Sequence, residues 1–185
     1  MFKSLLSGLI AVLSILAISA EYVWIEGEKP VTVPKIAAGG IPGDKGYEFK
    51  GWGNAKLFSE SKALYISIAG NEVEKRLPND GAVFGYEFDV KETGKFDVWA
   101  RIGYESMRSD FDWRTDGGEW KNLPAGQATR DLMYVQAWSE IAWIKLGDAE
   151  FQTGKHKIEF KHKVTPGKDG KPHRSGLSLP ERNGE

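Results

Sequence analysis

Two aspartates, Asp110 and Asp112, are the first candidates for chemistry because they alternate with Phe111 and Trp113. Residues two apart on a strand point to the same side of a sheet, so the two carboxyl groups would lie together. Paired carboxyl groups are the groups used in general acid/base catalysis and in glycoside hydrolysis. The same pattern also fits an exposed strand face. The sequence shows no nucleophile elbow, no phosphate-binding glycine loop and no catalytic Ser/His/Asp order, so we expect no enzyme.

A second acidic pair, Glu26 and Glu28, has the same spacing. On a strand the two side chains would point the same way, roughly 6–7 Å apart at ~3.3 Å per residue. Like charges on one face repel each other unless they are solvated or bridged, and hard oxygen ligands suit Ca²⁺. The alternatives are a solvated acidic edge or a charge partner for Arg101.

Composition limits what else the chain can do. Its 185 residues suffice for one domain, and 25 Lys and Arg against 26 Asp and Glu give a net charge of −1. This balance gives no support for a nucleic-acid or anionic-membrane binder. The absence of Cys excludes disulfides, thiol catalysis and Cys-based zinc sites, and only 3 His argue against a multi-histidine metal site. The 7 Trp, 6 Tyr and 9 Phe are what the composition leaves to explain.

Residues 1–20 have the pattern of an export signal. A basic start at Lys3 precedes an apolar run over residues 5–18, which is shorter than the ~20 residues of a membrane span. We expect cleavage after Ser19 or Ala20, and hence a secreted, periplasmic or cell-envelope protein of a bacterium, with no membrane span after cleavage. The alternative is a signal anchor that stays uncleaved.

The remainder, residues 21–163, predicts short β-strands separated by glycine and proline. Apolar and polar residues alternate strictly over residues 83–90 and again over residues 96–102. Residues 141–146 are almost wholly apolar, which suits a central strand. Residues 156–162 have a charged outer face, which suits a solvated face or a protected sheet edge. Seven or more short strands without a long helical window predict an all-β, antiparallel β-sandwich.

Other segments complete this prediction. Residues 22–25 and 64–68 are expected to be strands, and residues 115–118 a hairpin turn in which glycine permits a positive φ. Residues 30–57 are rich in proline and glycine and predict a long, packed loop. Residues 164–185 are expected to be a flexible tail or a truncated end.

Four motifs follow one another in an order that a known family shares. They are Ile25-Glu26-Gly27-Glu28; Gly94-Lys95-Phe96-Asp97-Val98-Trp99-Ala100-Arg101; Asp116-Gly117-Gly118-Glu119-Trp120; and Trp143-Ile144-Lys145-Leu146 with Thr153-Gly154-Lys155-His156-Lys157-Ile158. With these motifs, residues 22–162 resemble the galactose-binding-like β-jelly-roll domain and are similar to carbohydrate-binding module families 6 and 35. Those modules typically open with an acidic E-x-E or A-E strand, carry a G-x-Y-x-x-x-x-R strand and close with a G-x-H-x-I strand.

The resemblance has two departures. Phe96 stands where the family often has Tyr, and residues 163–185 show no closing strand with an Asp. We therefore expect a jelly roll that lacks its last strand. The chain would then be a piece of a longer protein with further domains, or it closes its sheet differently.

The resemblance implies a noncatalytic module that binds polysaccharide or oligosaccharide for a polysaccharide-degrading system, with a structural Ca²⁺ at Glu26 and Glu28. Sugar binding needs a flat aromatic ring and carboxylate or amide partners for hydroxyl groups. Trp99 and Trp143 lie in apolar runs and are assigned to the core. The alternative function is a protein-interaction or envelope structural domain on the same fold. The predicted carbohydrate-binding residues are Trp52, Asn54, Tyr104, Asp110, Asp112, Trp113 and Trp138.

Overall fold

The computed structural model describes residues 22–40, 42–51, 62–66, 68, 72–103, 110–124, 126–136, 139–163, 165–166 and 172–173. Within these ranges the chain is built of β-strands and one four-residue helix, α1 (Val73–Arg76). The described residues include no helix with the length and apolar character needed to cross a membrane. The strands are β1 (Tyr47–Lys50), β2 (Ala63–Ile66), β3 (Ala82–Val90), β4 (Gly94–Gly103), β5 (Phe111–Thr115), β6 (Lys121–Leu123), β7 (Thr129–Gln136), β8 (Ser139–Phe151), β9 (Gly154–His162), β10 (Thr165–Pro166) and β11 (Pro172–His173).

Two larger sheets contain most of the strands. Sheet I has the order β3-β9-β5-β6 and sheet II the order β4-β8-β7, while β1-β2 and β10-β11 form small two-stranded sheets. All strand pairs are antiparallel. The predicted all-β, antiparallel class is therefore confirmed.

One apolar cluster joins the two large sheets. Sheet I contributes the alternating residues of β3, as the sequence pattern predicts, and the aromatic residues of β5. Sheet II contributes Ala142, Ile144 and Leu146 from its central strand. Each sheet is therefore covered on one side by the other, which is a sandwich-like arrangement. The cluster members from sheet I are Phe84, Tyr86, Phe111, Trp113, Leu123 and Ile158.

A β-bulge in β8 controls which residues of this strand reach the core. Val98 pairs with Gly147, but the next residue, Trp99, pairs with Lys145, so β8 carries one extra residue here. Apart from Ile141, the buried residues of β8 accordingly change from even numbers up to Leu146 to odd numbers from Ala149. Gly147 has φ 149°, and a Cβ at this position would lie 3.2 Å from Cζ2 of the Trp113 ring.

Three sequence predictions need correction. Residues 22–25 form no regular strand, since the chain there lies outside the hydrogen-bonded ladders. The segment 30–57 is not wholly irregular, because it contains β1, which pairs with β2. Of the two alternatives for β9, a solvated face or a protected sheet edge, the edge is excluded because β3 and β5 flank this strand. Its charges are satisfied across strands, for example by the 2.6 Å pair between Arg114 Nε and Glu159 Oε2.

Replacing Gly147 by Ala should destabilise the fold. The φ of this residue is one that residues with a Cβ rarely adopt, and the new methyl group would press on the buried Trp113 ring. We expect the free energy of unfolding to fall by about 1–3 kcal/mol. Urea denaturation followed by tryptophan fluorescence measures this change.

The matched control is Gly40→Ala, because a Cβ on Gly40 would meet no atom within 4 Å. This control should stay within about 0.5 kcal/mol of the parent protein. Equal stability of the two variants would contradict the role assigned to the bulge.

Candidate functional site

The outer side of sheet II, turned away from the core, carries tryptophan and arginine side chains. In β4, Val98, Ala100 and Ile102 pack against the core cluster. Trp99 and Arg101 alternate with them and therefore point outward. Register places Arg101 beside Trp143 of β8. Both tryptophans are partly buried.

A third strand continues this row. Arg130 of β7 pairs with Trp143 from the other side, so that Trp143 lies between two arginines in neighbouring strands. The exposed Arg130 side chain reaches across β8, and its Cζ lies 5.4 Å from the centre of the Trp99 ring. Arg101 Nη2 lies 4.0 Å from Sδ of Met133. A guanidinium over an indole face is a favourable cation–π arrangement, and it holds Arg130 above the sheet.

Trp24 adds a further ring from the segment before β1. Its ring centre lies 5.6 Å from that of Trp143, edge-on at 69°, and the side chain is 61% exposed. The Trp24 Nε1–H donates a 2.7 Å hydrogen bond to Glu26 Oε1. Neighbouring Val23 and Ile25 pack against the apolar clusters and anchor this segment. We call the set Trp24, Trp99, Arg101, Arg130 and Trp143 the tryptophan–arginine face.

Trp24 is also one of the residues that line a groove of about 500 Å³. Tyr22, which is 92% exposed, lines it together with Trp24 and Phe88. Polar groups complete the wall, so the groove offers hydroxyl-binding partners next to aromatic rings. These polar groups belong to Glu87, Asp89, Lys91 and Glu92.

The lysines beside the tryptophan–arginine face are engaged by carboxylates. Lys145 Nζ lies 2.8 Å from Asp97 Oδ1 and 2.9 Å from Asp148 Oδ1, and Lys95 Nζ lies 3.0 Å from Asp148 Oδ2. Hydrogen bonds from Lys145 and then Lys95 hold the pKa of Asp148 far below its ordinary range. Burial lowers the pKa of the Arg101 guanidinium, which starts so high that the group stays charged.

The predicted pair Asp110 and Asp112 occupies a different surface, on sheet I. Asp112 is 6% exposed. It accepts hydrogen bonds from Lys163 Nζ at 2.8 and 3.0 Å and from Asn122 Nδ2 at 2.9 Å. Burial alone would raise its pKa, but the bonds from Asn122 and Lys163 hold that pKa below the usual value. Asp110 accepts from the same Asn122 at 3.1 Å. An ionised, fully bonded Asp112 is suited to holding β5, β6 and Lys163 together.

Of the other predicted sugar-binding residues, one is buried in the core and four lie outside the described residues. Trp113 is 1% exposed and belongs to the core cluster, so its ring presents no face to a ligand. The prediction counted it among the aromatic residues in loop-like sequence, but Trp113 lies in β5 with its ring next to Gly147. Trp52, Asn54, Tyr104 and Trp138 lie outside the described residues.

The two glutamates Glu26 and Glu28 lie at a turn and not on a strand, so the period of two does not orient them. The Lys29 N–H donates to the Glu26 carbonyl at 3.1 Å, and the Tyr86 hydroxyl donates to the Gly27 carbonyl at 2.9 Å. Burial, together with the charge of Glu28, raises the pKa of Tyr86 well above its ordinary value.

One oxygen of this turn fits a cation. Oε1 of Glu28 is buried without a hydrogen-bond partner, and a cation or water would satisfy it. The described residues contain no cluster of three His, Cys, Asp or Glu side chains that could hold a metal ion. Glu28 and main-chain carbonyls would therefore be the ligands of a Ca²⁺ here, since Glu26 is already bonded to Trp24.

Sequence reasoning assigned Trp99 and Trp143 to the core, and the structure corrects this assignment. The signal was present in β4, where aliphatic Val98, Ala100 and Ile102 alternate with Trp99 and Arg101. An arginine that shares a strand face with a tryptophan is a sign that this face is not the core. Trp24 could not be found in this way because no ladder fixes its direction.

Searches with this sequence found no matching protein-family model and no matching curated protein. The site therefore has to be interpreted from its own geometry. It offers three indole rings and two guanidinium groups on one side of sheet II. This arrangement can stack on a flat apolar ring and donate hydrogen bonds to its oxygen substituents.

Replacing Asp112 by Asn tests whether this residue is structural. The change leaves Lys163 and Lys161 without their buried anionic partner, so we expect the free energy of unfolding to fall by about 1–3 kcal/mol. Asp89→Asn is the matched control, because Asp89 forms an exposed pair with Lys155 and such pairs contribute about 0–1 kcal/mol. Urea denaturation compares the two variants. If Asp112→Asn keeps the parent stability but loses glycan binding, Asp112 is a sugar contact and not a structural residue.

Proposed function

We propose that this chain is a secreted, noncatalytic module that binds polysaccharide or oligosaccharide through the tryptophan–arginine face. The observation that carries the proposal is the grouping of Trp24, Trp99 and Trp143 with Arg101 and Arg130 on one side of sheet II. Indole rings cover the apolar C–H face of a pyranose, and guanidinium groups donate to its hydroxyl oxygens. Such binding is reversible and requires no chemical step.

The shape of the face supports a chain-like ligand. Trp24 and Trp143 meet edge-on at 69°, so their accessible surfaces are angled and can contact two successive sugar rings. The groove beside Trp24 extends the surface toward Tyr22. An elongated surface with rings at intervals matches a polymer better than a small enclosed ligand.

Two sequence features support the wider assignment. The four ordered motifs resemble the galactose-binding-like jelly roll and carbohydrate-binding module families 6 and 35, and the described strands form a sandwich-like pair of antiparallel sheets. The apolar segment of residues 1–20, which lies outside the described residues, has the pattern of an export signal. We therefore place the module outside the cytoplasm, attached to or derived from a polysaccharide-degrading system.

A protein partner is the second candidate, and one observation favours it. Leu132 and Tyr134 of β7 are 52% and 58% exposed, and β7 is the last strand of sheet II. Exposed apolar side chains on a terminal strand are a common place for protein contact. Under this alternative the module would serve as an interaction or envelope structural domain.

Affinity electrophoresis through gels that contain individual plant, algal and bacterial polysaccharides tests the sugar proposal. We expect at least one glycan to retard the protein, and Trp143→Ala to remove most of this retardation because the central stacking ring is lost. Trp120→Ala is the matched control. Trp120 is also partly buried, but it lies beside the other sheet. The centre of its ring lies 4.2 Å from Cζ of Arg114 and 4.1 Å from Nζ of Lys161, both in sheet I.

Two results would contradict the sugar proposal. In the first, no glycan retards the protein or raises its Tm. In the second, Trp120→Ala reduces retardation as strongly as Trp143→Ala while both variants stay folded by circular dichroism. Loss of a protein contact in Leu132→Ser, with glycan binding absent, would favour the second candidate.

We further propose that the turn at Glu28 binds a structural Ca²⁺, as the resemblance implies. The orphaned Oε1 of Glu28 supports this site. Calcium that binds only the folded state stabilises it by RT ln(1 + [Ca²⁺]/Kd), or about 2.7 kcal/mol at 100 times Kd. We expect added Ca²⁺ to raise Tm by several degrees, and chelation to reverse the rise.

Glu28→Gln should abolish this rise in Tm, whereas Glu48→Gln, at an exposed residue of β1, should leave it unchanged. Differential scanning calorimetry with Ca²⁺ and with Mg²⁺ measures the effect. A Tm that Ca²⁺ does not move, or that moves equally in Glu28→Gln, would show that Glu28 holds no calcium.

A further inference from the structure

We propose that the tryptophan–arginine face selects sugars that carry an anionic group, with the carboxylate of a hexuronate bound by Arg130 and Arg101 while its ring stacks on Trp143. The inference rests on the proposed sugar-binding function and specifies its ligand class.

The row Arg101, Trp143 and Arg130 has the dimensions of one sugar ring with its substituents. Each arginine is a direct cross-strand partner of Trp143, and directly opposed residues of antiparallel strands have Cα atoms about 4.5–5.5 Å apart. The Cα atoms of the two arginines are therefore roughly 10 Å apart, and Trp143 lies between them. The Arg130 side chain reaches across β8 to the Trp99 ring of β4, the strand that also holds Arg101, so a carboxylate on the β4 side of a pyranose stacked on Trp143 would face both guanidinium groups.

Arg130 is the residue whose surroundings point most directly to an anion. In the part of the chain that the structure describes, its side chain meets the ring of Trp99 and forms no ion pair with a carboxylate. The neighbouring Lys145, by contrast, is engaged by Asp97 and Asp148. The exposed charge of Arg130 is thus held in position by an aromatic ring and not neutralised by one of these acids.

An arginine is well suited to a carboxylate. Its planar fork can donate two parallel hydrogen bonds to the two oxygens, and charge-assisted bonds are shorter and stronger than bonds to neutral hydroxyls. Stacking on Trp99 limits the side-chain freedom that would be lost on binding. The net charge of the chain is −1, so attraction for an anionic glycan would arise at this face and not from the whole protein.

Matched pairs of glycans test the inference, because each pair shares a backbone and differs in charge. The pairs are carboxymethyl- and hydroxyethylcellulose, polygalacturonate and its methyl ester, and dextran sulfate and dextran. We expect the parent protein to bind the carboxylated member of at least one pair about tenfold more tightly, which corresponds to ~1.4 kcal/mol. This preference should weaken as NaCl is raised.

Three single substitutions test which residues cause the preference for the charged glycan. Arg130→Gln should lose most of the preference for the charged member while it keeps binding to the neutral one, and Arg101→Gln should lose part of it. Lys155→Gln removes the same charge from an exposed residue of β9 in sheet I and should change nothing. Circular dichroism confirms that each variant is folded.

The outcomes separate this inference from the sugar proposal. Equal binding to both members of every pair would overturn anion selection and leave sugar binding intact. Binding to no glycan would overturn both. Binding to dextran sulfate alone, reduced equally by Lys155→Gln and Arg130→Gln, would show general attraction to polyanions and overturn the carboxylate site.

Discussion

The close contact between the buried Trp113 ring and Gly147 is the constraint on which the arrangement of sheet II depends. Gly147 gives β8 its bulge, and the bulge lets Ala142, Ile144 and Leu146 on one side of it, and Ala149 and Phe151 on the other, all face the core. Without the extra residue, half of β8 would turn its apolar side chains to solvent. The outward position of Trp143 beside the arginines follows from this register.

The polar sides of the two sheets differ in how their charges are used. On sheet I, Glu159 pairs with Arg114 and Lys157, and Asp112 pairs with Lys163. Internal neutralisation makes that surface part of the folded structure and leaves little binding capacity for a ligand. On sheet II the Arg130 guanidinium instead faces an indole ring. Arg114 of sheet I also lies over an indole ring, that of Trp120, but it is paired with Glu159 as well, whereas Arg130 forms no ion pair among the described residues.

Strict alternation predicted β3, β4 and β9 and their buried faces, because one side of each strand must be apolar to pack. The hairpin turn was also predicted, and Gly117 adopts the expected positive φ, while Asp116 adopts a positive φ that was not predicted. The sequence did not predict the pairing of β9 between β3 and β5. Lysines on a strand face indicate exposure or cross-strand pairing equally well, and only the neighbouring strands distinguish the two.

The sequence by itself determined the all-β class, the apolar faces of the main strands and the chemistry available in aromatic and charged side chains. Tertiary structure decided where that chemistry could act. Trp113 and Trp143 both lie in β-rich sequence, yet the first is enclosed by the opposite sheet and the second lies between arginines. Alternation assigns a residue to one of two faces, but which face is covered depends on packing between segments distant in the chain. The site therefore became visible only when the sheets were assembled.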